Sequence, residues 1–147
     1  MADSPAPKPI DPRGPRFNQA MIAALLLLGF VVDWEPIVPA VATILAMGAA
    51  LGPRFGPFLA LYAYVIRPRL GPPAELEDPR PPRFAATLGA VVLAASTVTF
   101  LAEAHVVGWV LALLVAFLAG LSASTGICVG CEIYLFLARR RGVRMAA

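Results

Sequence analysis

Four apolar runs, at about 17–32, 36–51, 84–102 and 106–122, limit what this chain can fold into. Each comes near the roughly 17–25 residues that a helix needs to cross the hydrocarbon core of a bilayer, the first two at the short end. Inside lipid every backbone N–H and C=O must find a partner within the protein, and consecutive runs of this length meet that demand as helices. The runs therefore predict an all-α integral membrane protein with four transmembrane helices. Composition agrees: 59% of the residues are apolar and 14% charged, against about 45–50% and about 25% in soluble domains, and the mean hydropathy is +0.77. The lipid bilayer is then the main partner, and spans this short imply local thinning or little tilt.

Ahead of the first run, residues 1–10 are rich in proline and alanine and have too little apolar surface to pack, so they read as a disordered tail. Residues 11–147 read as a single membrane domain. The first run has no small-residue cleavage signal before Asp33, which argues for a retained span and against a signal peptide.

The domain repeats itself. Asp11-Pro12-Arg13-Gly14-Pro15-Arg16-Phe17 returns as Asp78-Pro79-Arg80-Pro81-Pro82-Arg83-Phe84, and each copy leads directly into an apolar run. Trp34 and Trp109 accompany the second run of each copy, which ends in G-x-x-x-G, Gly52 with Gly56 and Gly126 with Gly130. A short amphipathic segment with a tyrosine and a basic end follows, at 58–67 and 131–141. Self-similarity of this kind points to a duplicated unit. We expect two tandem two-span repeats, about 11–70 and 78–141, each followed by a short interfacial or re-entrant helix too short to cross. Gly48, Gly52, Gly120 and Ser124 have the small-xxx-small spacing that lets two membrane helices approach closely, here the second and the fourth.

Charge sets the orientation. Every basic residue, from Lys8 and Arg13 through Arg54, Arg67 and Arg83 to Arg144, falls on one side of this layout. The opposite turns carry only Asp33, Glu35, Glu103 and His105. The positive-inside bias then puts the N and C termini and the central loop in the cytoplasm. Net charge is only +3 and the arginines flank spans, so no nucleic-acid partner is expected.

Chemistry is expected at Cys128 and Cys131, the two cysteines of the chain, which form one C-x-x-C where a short helix starts after the second glycine break. Spacing of three brings both sulfurs to one side of a first helical turn. A thiolate there gains from unpaired backbone N–H groups and the helix dipole, which lowers its pKa and raises its reactivity near neutral pH. Cys128 reads as the attacking thiolate and Cys131 as the resolving thiol. Glu132 could relay a proton to a leaving thiolate. Arg54, at the position of the first repeat equivalent to Cys128, could hold the thiolate with its guanidinium. Each residue also has a plainer reading: cysteines as small packing residues, Glu132 as an acid favoured in any first turn, Arg54 as an interface anchor.

Zinc wants about four ligands, and the chain offers no third cysteine, with His105 at the opposite face. No dedicated metal is therefore expected, although two thiolates can capture a soft ion such as Cu(I). Trp34, Trp109, Tyr62, Tyr64 and Tyr134 read as interfacial belt aromatics, and Trp109 with Tyr134 as lining for a quinone, the one organic cofactor considered. Asp11 with Arg13, and Asp78 with Arg80, read as caps and ion pairs at helix starts.

At DPRGPRFNQ, at RPRLGPPAELEDPRPPRF and at TGICVGCEIYLFLARR the chain resembles a bacterial membrane family known as domain of unknown function 4395, nearly throughout residues 11–141. The resemblance implies four spans, a terminal C-x-x-C that falls on Cys128 and Cys131, the bacterial inner membrane, and thiol or sulfur chemistry with a cytoplasmic thioredoxin- or sulfurtransferase-like protein. The expected function is thus thiol–disulfide exchange or sulfur transfer at one cytoplasmic-side cysteine pair. Two alternatives stay open: a small carrier for a sulfur species or soft metal ion, and a membrane anchor that recruits a soluble sulfurtransferase or thioredoxin-like protein. The oligomer, a homodimer included, is left open as well.

Overall fold

The computed structural model describes residues 8–52 and 56–142. Its regular structure is helical: α1 (Arg13–Val31), α2 (Ile37–Leu51), α3 (Pro57–Leu61), a π-helical turn (Tyr62–Ile66) running into α4 (Arg67–Leu70), then α5 (Arg80–Leu101), α6 (His105–Thr125) and α7 (Val129–Arg140). Of these, α1, α5 and α6 are long and apolar enough to cross a membrane. At 15 residues α2 is apolar but shorter, about 22 Å at 1.5 Å per residue. Its length is set at both ends, by Pro36 at the start and by Gly52, whose φ of 97° ends the helix.

Proline starts helices here because the first turn has no carbonyl waiting for its missing N–H. Pro12 and Pro79 occupy the cap positions of α1 and α5. The aspartate before each proline completes the start: Asp11 Oδ1 accepts from the Arg13 N–H at 2.9 Å and Asp78 Oδ1 from the Arg80 N–H at 2.9 Å. The far ends are also alike. At the α1–α2 turn the Trp34 N–H donates to the Gly29 carbonyl, and at the α5–α6 turn the Ala104 N–H donates to that of Thr99. Asp33 and Glu103, at φ 51° and 58°, take the left-handed position in these turns.

The helices pack crosswise. The broadest contacts join α2 to α5 and α1 to α6; α5 also meets α6 and α7, while α1 and α2 share a smaller contact. Ile22, Leu26, Val38, Val41, Leu45, Leu93, Ala112 and Ala119 are buried at the centre. Ser96 is buried among them, and its hydroxyl donates to the Gly108 carbonyl at 2.7 Å, pinning α5 to α6. Outside that core the helices carry bare apolar side chains, with Val31, Leu101 and Val106 each about 80% exposed. Exposed apolar surface of this extent marks a membrane environment.

Three packing expectations need correcting. The small residues of α2 and α6 do not draw those helices together: Gly48 has open space around it, and Gly120 faces Ala23 of α1. The helices that meet α2 and α6 most broadly are α5 and α1 instead. Trp109 is in the core, not in an interfacial belt, edge-on between Phe30 and Phe100 at 5.4 and 5.2 Å. Burial is allowed because its indole N–H reaches Asp33 Oδ1 at 3.2 Å. Tyr62 is buried for the same reason, its hydroxyl donating to Asp11 Oδ2 at 3.0 Å; Trp34 and Tyr64 remain exposed. Ile10, assigned to the tail, exchanges two backbone hydrogen bonds with Glu77 at 2.8 and 2.9 Å and so belongs to the packed body.

Candidate functional site at the start of α7

The chain leaves α6 at Gly126, whose φ of 77° is a left-handed helix end that a side chain would strain. Two residues later Cys128 stands in extended conformation as the cap of α7, and Cys131 follows in the first turn. A second glycine fixes where α7 sits. A Cβ on Gly130 would lie 2.7 Å from the Ala85 Cβ and 2.9 Å from its Cα, so α7 rests almost backbone to backbone on α5. That close approach is what Gly130 provides. Tyr134 lies one turn further on, its ring 5.5 Å from that of Phe84.

Both cysteines are free and half-buried. They face one another, and the contact makes them unequal. The Cys131 thiol donates to the Cys128 sulfur, and this is the largest influence holding the Cys128 pKa down at about 6. Burial opposes the shift, while the backbone N–H of Cys131, the Ser122 hydroxyl and the backbone N–H of Gly130 support it. Donation pushes Cys131 the other way, far above the ordinary thiol range, with burial and the negative charges of Cys128, Glu77 and Glu132 adding to it. One lowered and one raised pKa in a thiol pair is the inequality that favours attack by one sulfur and resolution by the other.

Glu132 is exposed in the first turn of α7. Arg54 lies outside the described residues. The Arg16 guanidinium packs against Gly126, two residues before Cys128, where its Cζ would be 2.8 Å from a Cβ. Its counterpart Arg83 lies at the end of α2, donating to the Ala49 carbonyl at 3.0 and 2.8 Å and to that of Ala50 at 3.2 Å. The signal was in the sequence, since Arg16 and Arg83 hold the same place in the two D-P-R-x-P-R-F segments. One difference falls on the cysteine side: Asp11 Oδ2 receives the Tyr62 hydroxyl, whereas Asp78 Oδ2 is buried with no hydrogen-bond partner among the described residues.

Trp109 and Tyr134 do not line one site. Trp109 is beside the turn that holds Asp33, and Tyr134 is at the start of α5. His105 is at the Trp109 end, against Glu35. Among the described residues, no group of three or more His, Cys, Asp or Glu side chains is placed to hold a metal ion.

These features define an all-helical membrane protein with a free cysteine pair at the start of its last helix. The chain belongs to the family described as Domain of unknown function (DUF4395), whose model matches residues 10–139. No curated protein matches it, and no solved structure does.

Proposed function

We propose that the protein is a membrane-embedded thiol–disulfide or sulfur-transfer protein, working through Cys128 and Cys131 with a cytoplasmic thioredoxin- or sulfurtransferase-like partner. What supports this reading is the placement of two free, half-buried cysteines side by side at the cap and first turn of α7, where the Cys131 thiol lowers the pKa of Cys128. In exchange, a thiolate of the reduced partner attacks the Cys128 sulfur of a Cys128–Cys131 disulfide and expels Cys131, which takes up a proton beside Glu132. The partner's second thiolate then attacks its own sulfur in the mixed disulfide, releasing the Cys128 thiolate, so that the partner leaves oxidised and the pair is left as a thiolate beside a thiol. In sulfur transfer the Cys128 thiolate attacks the outer sulfur of a partner's persulfide, forming a Cys128 persulfide and releasing the partner's thiolate.

In this proposal the frame is two tandem two-span repeats, so that α2 is a fourth, short span and α3, α4 and α7 stay at the inner interface of a bacterial inner membrane. The aspartate-capped helix starts, the matching turns at Asp33 and Glu103 and the paired contacts α1 to α6 and α2 to α5 support it. Ile10 and Glu77, 67 residues apart like Asp11 and Asp78, bond to each other as residues astride a two-fold axis do. Arginines at the starts of α1 and α5 and at the end of α7 favour cytoplasmic termini.

The test is a trap. Cys131→Ser lacks the resolving thiol, so cells expressing it should accumulate a reducible mixed disulfide through Cys128, and Cys128→Ser should accumulate none. Equal, background-level adducts in both variants would sink the proposal.

A further inference from the structure

We infer that the Cys128/Cys131 pair passes its electrons to a membrane quinone bound in the groove between α5 and α6, an inference that rests on the thiol reading above. The groove, about 130 Å³, starts at Cys128 and Gly130 and follows α5 past Ala85 to Val92, about 10 Å at 1.5 Å per residue. Ile22 and Leu45 form its floor. Leu88 and Leu114 form its rim and are 38% and 49% exposed, so the opening faces where lipid lies. An apolar cavity of about 150 Å³ holds one benzene ring, and this groove is near that size.

Three features choose a quinone over an acyl chain. One end of the groove is a sulfur and not another methyl group. Its wall also includes Gln19, an amide of the kind that suits a ring carbonyl. Finally, the chain contains two cysteines in all, so a pair that has taken two electrons from a cytoplasmic partner has no second thiol pair to receive them. A lipid-soluble two-electron acceptor beside the first pair closes the cycle.

The step balances. The Cys128 thiolate adds to a ring carbon, forming a C–S bond and turning one carbonyl into a phenolate. Cys131 loses its S–H proton and attacks the Cys128 sulfur. The S–S bond forms, the C–S bond breaks with its electron pair going to the ring, and hydroquinone leaves. Two electrons come from the sulfurs, one proton from Cys131 and one from water beside Glu132.

The test uses the full-length reduced protein in nanodiscs without oxygen, mixed with decyl-benzoquinone or, separately, with the soluble hydroxyethyl disulfide. One quinone should be reduced per disulfide formed. The ratio of quinone rate to soluble-disulfide rate should fall at least tenfold in Gln19→Leu, which removes the amide, and in Leu88→Trp, which narrows the rim. If the pair reacts with the soluble disulfide but quinone is not reduced, or if both variants keep the wild-type ratio, the groove inference fails and the thiol reading stands. If neither oxidant reacts, both fall.

Discussion

Alkylation of Cys128 should run fastest, relative to an ordinary thiol, in acid. With a pKa of about 6, about half of it is thiolate at pH 6, against about 0.3% for a free cysteine of pKa about 8.5, a ratio of roughly 160. A less basic thiolate is also a weaker nucleophile, and over about 2.5 pKa units that costs roughly 10- to 20-fold at a Brønsted slope of about 0.4–0.5. The net expectation is a rate about tenfold above free cysteine at pH 6 and roughly sixfold below it at pH 8.5, where Cys128 is almost fully ionised and the free thiol about half. The sign follows from the lowered pKa: falling pH protonates the free thiol first and Cys128 last. Mass-spectrometric counting of iodoacetamide adducts against time, in detergent and between pH 5 and 9, reads the crossover directly. Cys131→Ala removes the donor named first among the causes and should move the midpoint toward the ordinary value, whereas Cys131→Ser keeps an O–H donor and should move it less. Two equivalent thiols, both with midpoints near 8.5, would refute the argument, because hydrogen bonding between them would then have no effect on either.

Gly130→Val should lower thermal stability by about 1–3 kcal/mol, as overpacking does, because a Cβ 2.7 Å from that of Ala85 forces α7 away from α5; thermal unfolding in detergent checks it, and an unchanged Tm would remove Gly130 from the contact. Arg83→Gln should cost about 1 kcal/mol, below the roughly 1.5–3 kcal/mol of a charged donor because the group is exposed, since the Ala49 and Ala50 carbonyls lose their guanidinium. A cysteine placed at Glu103 in a Cys128/Cys131-free background should react with an impermeant maleimide from outside the cell, and one at Glu75 should not; the reverse labelling would invert the proposed orientation. If Arg54 supports the thiolate, Arg54→Gln should shift the Cys128 alkylation midpoint upward with insertion unimpaired, and an unmoved profile would leave it as an anchor.

Helix periods and caps were legible because they are local. D-P-R-x-P-R-F marks two helix starts through proline's missing N–H and an aspartate two residues before the helix, and both appear where the motif stands. Partner choice was not legible, since it depends on which faces meet. Gly120 has the right spacing for any close helix, and only the crosswise packing gives it Ala23. Trp109 and Tyr62 look like interface residues as long as Asp33 and Asp11, 76 and 51 residues away, are unseen as acceptors. At the candidate site the helix start could be read from the glycine break and the spacing, and Arg16 stood out by its place in the repeated motif, but its packing against Gly126 depends on how α1 meets α6 and was not legible.

Because α1 is covered chiefly by α6 and α2 by α5, the first hairpin emerges from the ribosome with its best surfaces unmatched. It must wait in the bilayer until α5 and α6 have been made, through Thr125, and only then can it settle. A chain severed in the loop between α4 and α5 should therefore yield two fragments that are individually unstable yet rebuild the bundle when made together. The cysteine helix rests on α5 and emerges only after α5 and α6, so it would join a bundle already begun and the thiols reach a seat already built.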